Sequence, residues 1–412
     1  MTTGTTSEGL RYAVRRSSSP AAYCALSIGR GTRDEEGFPS GIAHFTEHAI
    51  FKGTAHRRSR SINSCLERLG GELNAFTTKE EIVVHATVLK EDIRKALGLL
   101  TELAAEPSFP EDEIEVEKGV VVDEIQSYKD SPSEDIYDCF ESLLFEGHPL
   151  EGQILGSAES VRSITRADLR RFASGFIPGR MALSIVADLP EERMERLACD
   201  ISAKAFGGRV YALPAPRRLA APSLHSFERT EEKENHEANA IIGGYAPPVS
   251  AERPRLAAAL FANILAGPAS NSVLGAILRE KNGWVYGVEA SYTPYSDTGI
   301  MTISLGCEKE NLGKCLRTVR REIARMQEEP LSPRRLAAAK KQVLGQMAIS
   351  SANGESQCLG MGKSMLCFGA VLSDEQVRSR VMDLSPEDLL DAARTIFSPA
   401  STSTLIYLYK LF

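Results

Sequence analysis

The chain has 412 residues, enough for two hydrophobic cores and hence for two domains of about 200 residues each. Apolar residues make up 42 % and charged residues 25 %, ordinary globular usage that argues against disordered, collagen-like and membrane-embedded classes. A formal net charge of −7 gives no electrostatic footprint for nucleic acid or an anionic membrane.

The N-terminal stretch has no apolar leader core; it reads as the approach to a first strand and places the protein in the cytosol. Eight scattered cysteines without a C-x-x-C pair read as reduced, mostly buried thiols. LRYAV at 10–14 and YCALSIG at 23–29 have strand patterning, and Pro39-Ser40 introduces a helix over 41–53 with Ser40 as its N-cap. A helix near 61–69 ends at Gly70-Gly71, and EIVVHATVL at 81–89 is a strand by its Val, Ile and Thr content. Helices follow over 91–105 and 110–128, the second opened by Pro110 and by three acids, Glu111, Asp112 and Glu113, suited to a helix N-terminus. Helices at 134–145, 158–162 and 166–175, a strand at 181–188 and a helix up to 206 complete a first domain, 1–206.

Residues 207–222 mix Gly, Pro and Arg and read as a linker. The second domain, 223–412, reruns the first: strand ANAIIGGYAP, helices 253–267 and 270–280, strands YGVEASYT and GIMTISLGC, helices 309–328 and 332–350, and a last strand near STLIYLYK. This order predicts an α+β fold of two similar α/β-sandwich domains from an internal duplication, each with a mixed, mainly antiparallel sheet and helices.

Two of only seven histidines fall in one string, His44-Phe45-Thr46-Glu47-His48, on the helix predicted after Ser40. Residues i and i+4 project from one helical face, so both imidazoles reach one ion, and Glu47 shares that face. A catalytic zinc site uses three protein ligands and leaves a fourth position for water, whose proton a neighbouring carboxylate accepts. The string supplies two ligands and a base. A chance H-x-x-E-H arises in roughly one chain in a hundred of this composition, so a third ligand is required to make the case. The helix at 110–128 offers Glu117 and Glu124, two turns apart on one face, with Val120, Val121 and Ile125 as its packing residues. The other histidines, at 56, 85, 148, 225 and 236, are isolated and read as satisfied or solvated side chains.

GIAHFTEHAIFKGT followed by EKGVVVDEI resembles the pitrilysin/insulinase family, in particular its short two-subunit branch that includes mitochondrial processing peptidase. The resemblance implies that His44, His48 and Glu124 ligate zinc, that Glu47 is the general base, and that Glu117 supports the site by orienting a ligating imidazole. Thr46 and Ala49 stand where relatives carry Leu and Met. Asn74-Ala75-Phe76-Thr77, with Glu80 after it, resembles the edge strand on which family members hold an extended substrate by strand addition. LREKNGWVYGVEASY resembles the family's Arg/Tyr element, which implies that Arg279 and Tyr286 steady the scissile carbonyl as it becomes an oxyanion. Without the family, Tyr286 reads as a packed strand residue and Arg279 as a helix-end cation.

In such proteins four related domains form a closable chamber, so a two-domain chain implies a second subunit. Because this chain carries both the histidine string and the Arg/Tyr pair, a homodimer supplies everything. The reading is a zinc-dependent metalloendopeptidase that cleaves peptides or unfolded segments by attack of a metal-activated water. The alternative is a noncatalytic subunit, or an obligate heterodimer partner, of a processing peptidase.

Overall fold

In a computed structural model of the protein, which describes residues 1–209, 211, 221–234 and 236–409, the chain alternates short strands and helices from end to end. It opens with β1 (Thr2–Thr5), β2 (Arg11–Arg16), β3 (Ala21–Ile28), α1 (Ile42–Ile50), α2 (Ser59–Glu67), β4 (Glu72–Thr77) and β5 (Ile82–Leu89). Next come α3 (Ile93–Ala105), α4 (Glu111–Lys129), α5 (Pro132–Leu144), α6 (Ala158–Ser163), α7 (Arg166–Ala173), β6 (Met181–Ala187) and α8 (Glu191–Phe206). The later part holds β7 (Glu228–Lys233), β8 (Ala238–Ala246), α9 (Glu252–Ala266), a π-helical turn (Gly275–Lys281), β9 (Val285–Pro294), β10 (Gly299–Cys307) and α10 (Lys309–Glu328). It closes with α11 (Pro333–Ser350), α12 (Gly354–Phe368), α13 (Asp374–Met382), α14 (Pro386–Ile396) and β11 (Ser403–Tyr409).

The α+β reading holds, and the two sheets share a plan. The first runs β1-β2-β6-β3-β5-β4 and the second β7-β11-β8-β10-β9. Each has one parallel pair, β2 with β6 and β7 with β11, and is otherwise antiparallel. Leaving out β1, the strands follow the same order along both sheets, the pattern of a duplication. In both, the strand after the central hairpin partner ends at a free edge: β4 in one, β9 in the other.

The sequence reading passed over β1, β7 and α12 to α14. β7, ERTEEK, carries no apolar alternation because it lies at a sheet edge with one half-exposed and one exposed side. α12 is hidden by its glycines, poor helix formers that are needed for contact: a Cβ at Gly362 would meet the Ser27 hydroxyl at 2.8 Å. The helix expected over 270–280 is instead the π-helical turn.

The compact units are not the contiguous halves 1–206 and 223–412. One comprises Met1–Ile125, Gly152–Arg217 and Ala348–Val371; the other comprises Gln126–Glu151, Arg218–Met347 and Leu372–Phe412. Residues 210 and 212–220 of the expected linker lie outside the described residues. In the first unit, one face of the sheet packs Leu26, Ile28 and Val84 against Phe45, Leu100 and Leu103. The opposite face packs Ala25, Val83 and Val186 under Cys358, Met361 and Met365 of α12. In the second unit, Ile242 and Ile303 face Phe261, Val319 and Ile396, while Ile241, Leu405 and Tyr407 face Phe140 and Leu144 of α5. Periodicity tells that α5 and α12 bury a face; it does not tell which sheet receives it.

Candidate metal centre

α1 is enclosed on nearly every side. Ile42, Ala43, Phe45, Ala49 and Ile50 are all buried to completion, so the helix has almost no solvent face. Thr46 and Ala49 are likewise fully buried packing residues. Its N-cap is Gly41, not Ser40: the residue sits at φ +85°, and a Cβ there would lie 2.6 Å from the Leu155 carbonyl oxygen. No side chain of the cap bonds the first turn; Glu35 does so from a distance, Oε2 accepting from the Gly41 N–H and Oε1 from the Ala43 N–H, each at 2.9 Å. Burial pushes the Glu35 carboxyl up to about 7 in spite of those two bonds.

The remaining side of α1 turns His44, Glu47 and His48 toward α4. His44 Nε2 lies 3.8 Å from Glu124 Oε1, and His48 Nε2 lies 3.5 Å from Glu124 Oε2. The three candidate ligand atoms lie within 4.8 Å of one another, the only such His/Cys/Asp/Glu group among the described residues. Zn–N bonds of ~2.0–2.1 Å in a tetrahedron put ligand atoms roughly 3.4 Å apart, so the spacing fits zinc. Burial, and then the neighbouring His48, hold His44 down to about 3, which keeps it the neutral imidazole that a metal requires. Its Nδ1 is buried without a hydrogen-bond partner.

His48 is oriented differently. Its Nδ1 lies 2.8 Å from Glu117 Oε1, and Lys52 Nζ lies 2.5 Å from Glu117 Oε2. Burial works against the Glu117 charge, but the bonds from His48 and Lys52 outweigh it and hold the carboxyl below its ordinary value. An ionised carboxylate only accepts, so the His48 Nδ1–H donates to Glu117, and in the neutral ring Nε2 is the nitrogen left with a lone pair that a metal ion would take. Burial also opposes charge on His48, yet the Glu117 bond and the carboxylates of Glu47 and Glu124 raise its pKa.

Glu117 is buried and Glu124 exposed, each aimed at the histidines as their seven-residue spacing implied. The packing residues of α4 are Ile114, Val121 and Ile125; Val120, expected among them, is 49 % exposed. Lys52 was missed altogether, although it stands four residues beyond His48. Glu47 is buried, which raises its carboxyl pKa against the opposing pull of His48 and of the Thr77 hydroxyl, donating to Glu47 Oε2 at 2.9 Å.

Thr77 ends β4, so Asn74, Ala75, Phe76 and Thr77 do form an edge strand, paired on one side only by β5. Asn74 and Phe76 point to the exposed face, and Glu80 beyond them pairs with Arg33 at 2.5 Å. Among the remaining histidines, His56 pairs with Glu106, His85 with Glu355, and His148 with Asp297.

Arg279 and Tyr286 belong to the second unit, where both line one cleft of about 310 Å³. Gly287 pairs with Gly306 and Val285 with Cys307, which leaves Tyr286 as the extra residue of a β-bulge. The bulge turns the phenol outward, 62 % exposed, where its hydroxyl donates to Glu308 at the N-cap of α10. That bond pushes the phenol up to about 12. Arg279 pairs with its neighbour Glu280 at 2.9 Å.

Known proteins can be set beside this geometry. An uncharacterized zinc protease of Bacillus subtilis is 28 % identical over 380 residues, 92 % of this chain and 91 % of that protein. Another from Streptomyces coelicolor is 26 % identical over 380 residues, 91 % of this chain and 82 % of that one. The crystal structure of a protease from Helicobacter pylori matches 98 % of each chain with a TM-score of 0.89 at 19 % identity. A peptidase M16 inactive domain from Pseudomonas fluorescens matches 100 % of this chain and 98 % of its own with a TM-score of 0.88 at 21 % identity. Residues 11–158 match the family model described as Insulinase (Peptidase family M16), and residues 163–343 match the one described as Peptidase M16 inactive domain. With the two models accounting for most of its length, the chain belongs to the insulinase family of peptidases, M16.

Proposed function

We propose that the protein is a zinc-dependent endopeptidase of peptides and unfolded segments, acting as a homodimer in the cytoplasm. The observation that carries this reading is the convergence of His44, His48 and Glu124 within 4.8 Å beside the buried carboxylate of Glu47. Zinc, when bound, supplies Lewis-acid chemistry: it acidifies a water and polarises a carbonyl. Glu47 takes the proton on its carboxylate and returns it to the leaving amine, a task that its upward-shifted pKa suits.

The free edge of β4 accepts an extended substrate by backbone hydrogen bonds, which ask little of sequence and exclude segments that stay folded. Arg279 and Tyr286 of the partner subunit donate to the carbonyl oxygen as negative charge develops there, the Tyr286 hydroxyl leaving Glu308 to do so. None of the eight cysteines, all of them among the described residues, forms a disulfide, which fits a reducing compartment. No helix among the described residues is long and apolar enough to cross a membrane. The full set of ligands and base weighs against a noncatalytic subunit.

The test is a mixing experiment on an internally quenched peptide. Glu47→Gln and Tyr286→Phe are each expected to be nearly inactive, and subunit exchange between them to restore cleavage. Exchange verified by mass, with no recovered activity, removes the shared-site dimer. Parent protein that takes up zinc yet cuts no peptide removes the enzyme reading.

A further inference from the structure

We propose that Lys52 is a positioning residue of the metal centre, its ammonium fixing the Glu117 carboxylate in the orientation that aims His48 at the ion. This rests on the metal-binding reading of His44, His48 and Glu124.

The chain places Lys52 for this task. His44, His48 and Lys52 are four residues apart in turn, and the Lys52 N–H donates to the Ala49 carbonyl at 3.1 Å, which continues the last turn of α1 by two residues. The backbone is then locked. The Gly53 carbonyl accepts from the Ser108 N–H at 3.0 Å, and a Cβ at Gly53 would meet the Ser108 hydroxyl at 2.6 Å. Lys52 therefore leaves a fixed platform and reaches one atom, Glu117 Oε2, at 2.5 Å.

The carboxylate has two oxygens, and each has one donor: His48 Nδ1 at 2.8 Å on Oε1 and Lys52 on Oε2. The last torsion of a glutamate is broad and two-fold, so a carboxylate held at one oxygen alone rotates away readily. A buried oxygen without a donor is also costly, and Glu117 is only 5 % exposed. With Lys52 gone, the cheapest repair is for Glu117 to turn toward water or toward another donor, which removes the acceptor from His48 Nδ1. The imidazole then loses what fixes its ring and its proton, and Nε2 is no longer held toward Glu124. His44 gives no second hold of this kind, because its Nδ1 has no partner. The orientation of the ligand pair thus depends on the Lys52–Glu117–His48 chain.

The experiment measures zinc affinity of the full-length protein by competition with a chromophoric chelator, together with the visible bands of the Co²⁺-loaded form. Lys52→Met is expected to weaken zinc binding about tenfold and to alter the Co²⁺ bands, Glu117→Gln to weaken it at least as much, and Lys52→Arg to bind as the parent does within about threefold. Lys52→Met with the parent's affinity and unaltered bands overturns the proposal. If that variant does not fold, Lys52→Gln, whose amide stops short of Glu117, is expected to show the same loss, and parent-like affinity there overturns it equally. A parent that takes up no divalent ion overturns the metal reading and this proposal together; a zinc-binding parent indifferent to residue 52 overturns this proposal alone.

Discussion

The Thr77 hydroxyl donates to Glu47 Oε2 at 2.9 Å, so the edge strand β4 is tied at its last residue to the carboxylate proposed as the general base. The two residues are 30 apart in sequence, so the bond ties a buried acid of α1 to a strand. Thr77→Val keeps shape and strand propensity but removes the donor. The expected result is a kcat lowered about tenfold, the worth of one charge-assisted hydrogen bond, with KM and zinc content unchanged.

Loss of a ligand and loss of the base separate cleanly. His48→Ala and Glu124→Gln are each expected to strip most of the zinc, read by elemental analysis after dialysis. Glu47→Gln is expected to retain it and to lose on the order of 10²–10⁴ in kcat.

The phenol of Tyr286 has a single proton and donates it to Glu308. The carboxylate disfavours the phenolate, which is why the group sits at about 12. In Glu308→Gln that ionisation is expected to return toward about 10. Earlier titration in absorbance at 295 nm is the signal; its larger part should vanish in the Tyr286→Phe background, leaving the share of Tyr409, whose hydroxyl also reaches Glu308 at 3.3 Å.

Glu35 gives the fold a dependence on pH. Its carboxyl titrates near 7 in the folded protein against an ordinary value of 4.5. Between those two values the native state binds the proton that the unfolded state releases, so the contribution is complete below pH 4.5 and is lost as pH rises toward and through 7. Urea midpoints of parent and Glu35→Gln at pH 5 and 7.5 are expected to differ in the parent's favour by about 2 kcal/mol more at the lower pH. A pH-independent difference refutes the assignment.

Phe140 of α5 is fully buried against the second sheet, and the glycine at 243 lets it approach: a Cβ there would come within 2.9 Å of the ring. Phe140→Ala is expected to cost about 3–5 kcal/mol of unfolding free energy. Gly243→Ala is expected to be costly as well, from overpacking.

How much of this was legible beforehand depended on whether the determining interaction was local. His44, Glu47 and His48 were readable because one helical turn places them on one face, and Glu117 with Glu124 because two turns do the same. Gly41 took the cap from Ser40 because a distant carboxylate, Glu35, satisfies the first turn, which no local pattern contains. Lys52 was invisible for the same reason: its role exists only once α4 lies alongside α1. Val120 reads as a packing residue by composition and is exposed because Ile114, Val121 and Ile125 already fill the helix's inner stripe. The placement of Tyr286 depended on a register shift in β9 and β10, which alternation alone does not disclose.

The crossing of α5 and α12 between the two units has a bearing on how the protein is made. The first sheet, with the histidine helix on one side, is synthesised within the opening 187 residues, yet the cover of its other side, Cys358, Met361 and Met365, emerges from the ribosome only near the end. Until then a face containing Ala25, Val83 and Val186 stays open to water, a sticky surface in a nascent chain. Neither half is a self-sufficient fragment: an N-terminal piece lacks its lid and carries a helix meant for another sheet. A chain ending before residue 354 is therefore expected to leave that apolar face uncovered and to aggregate more readily than the full-length protein.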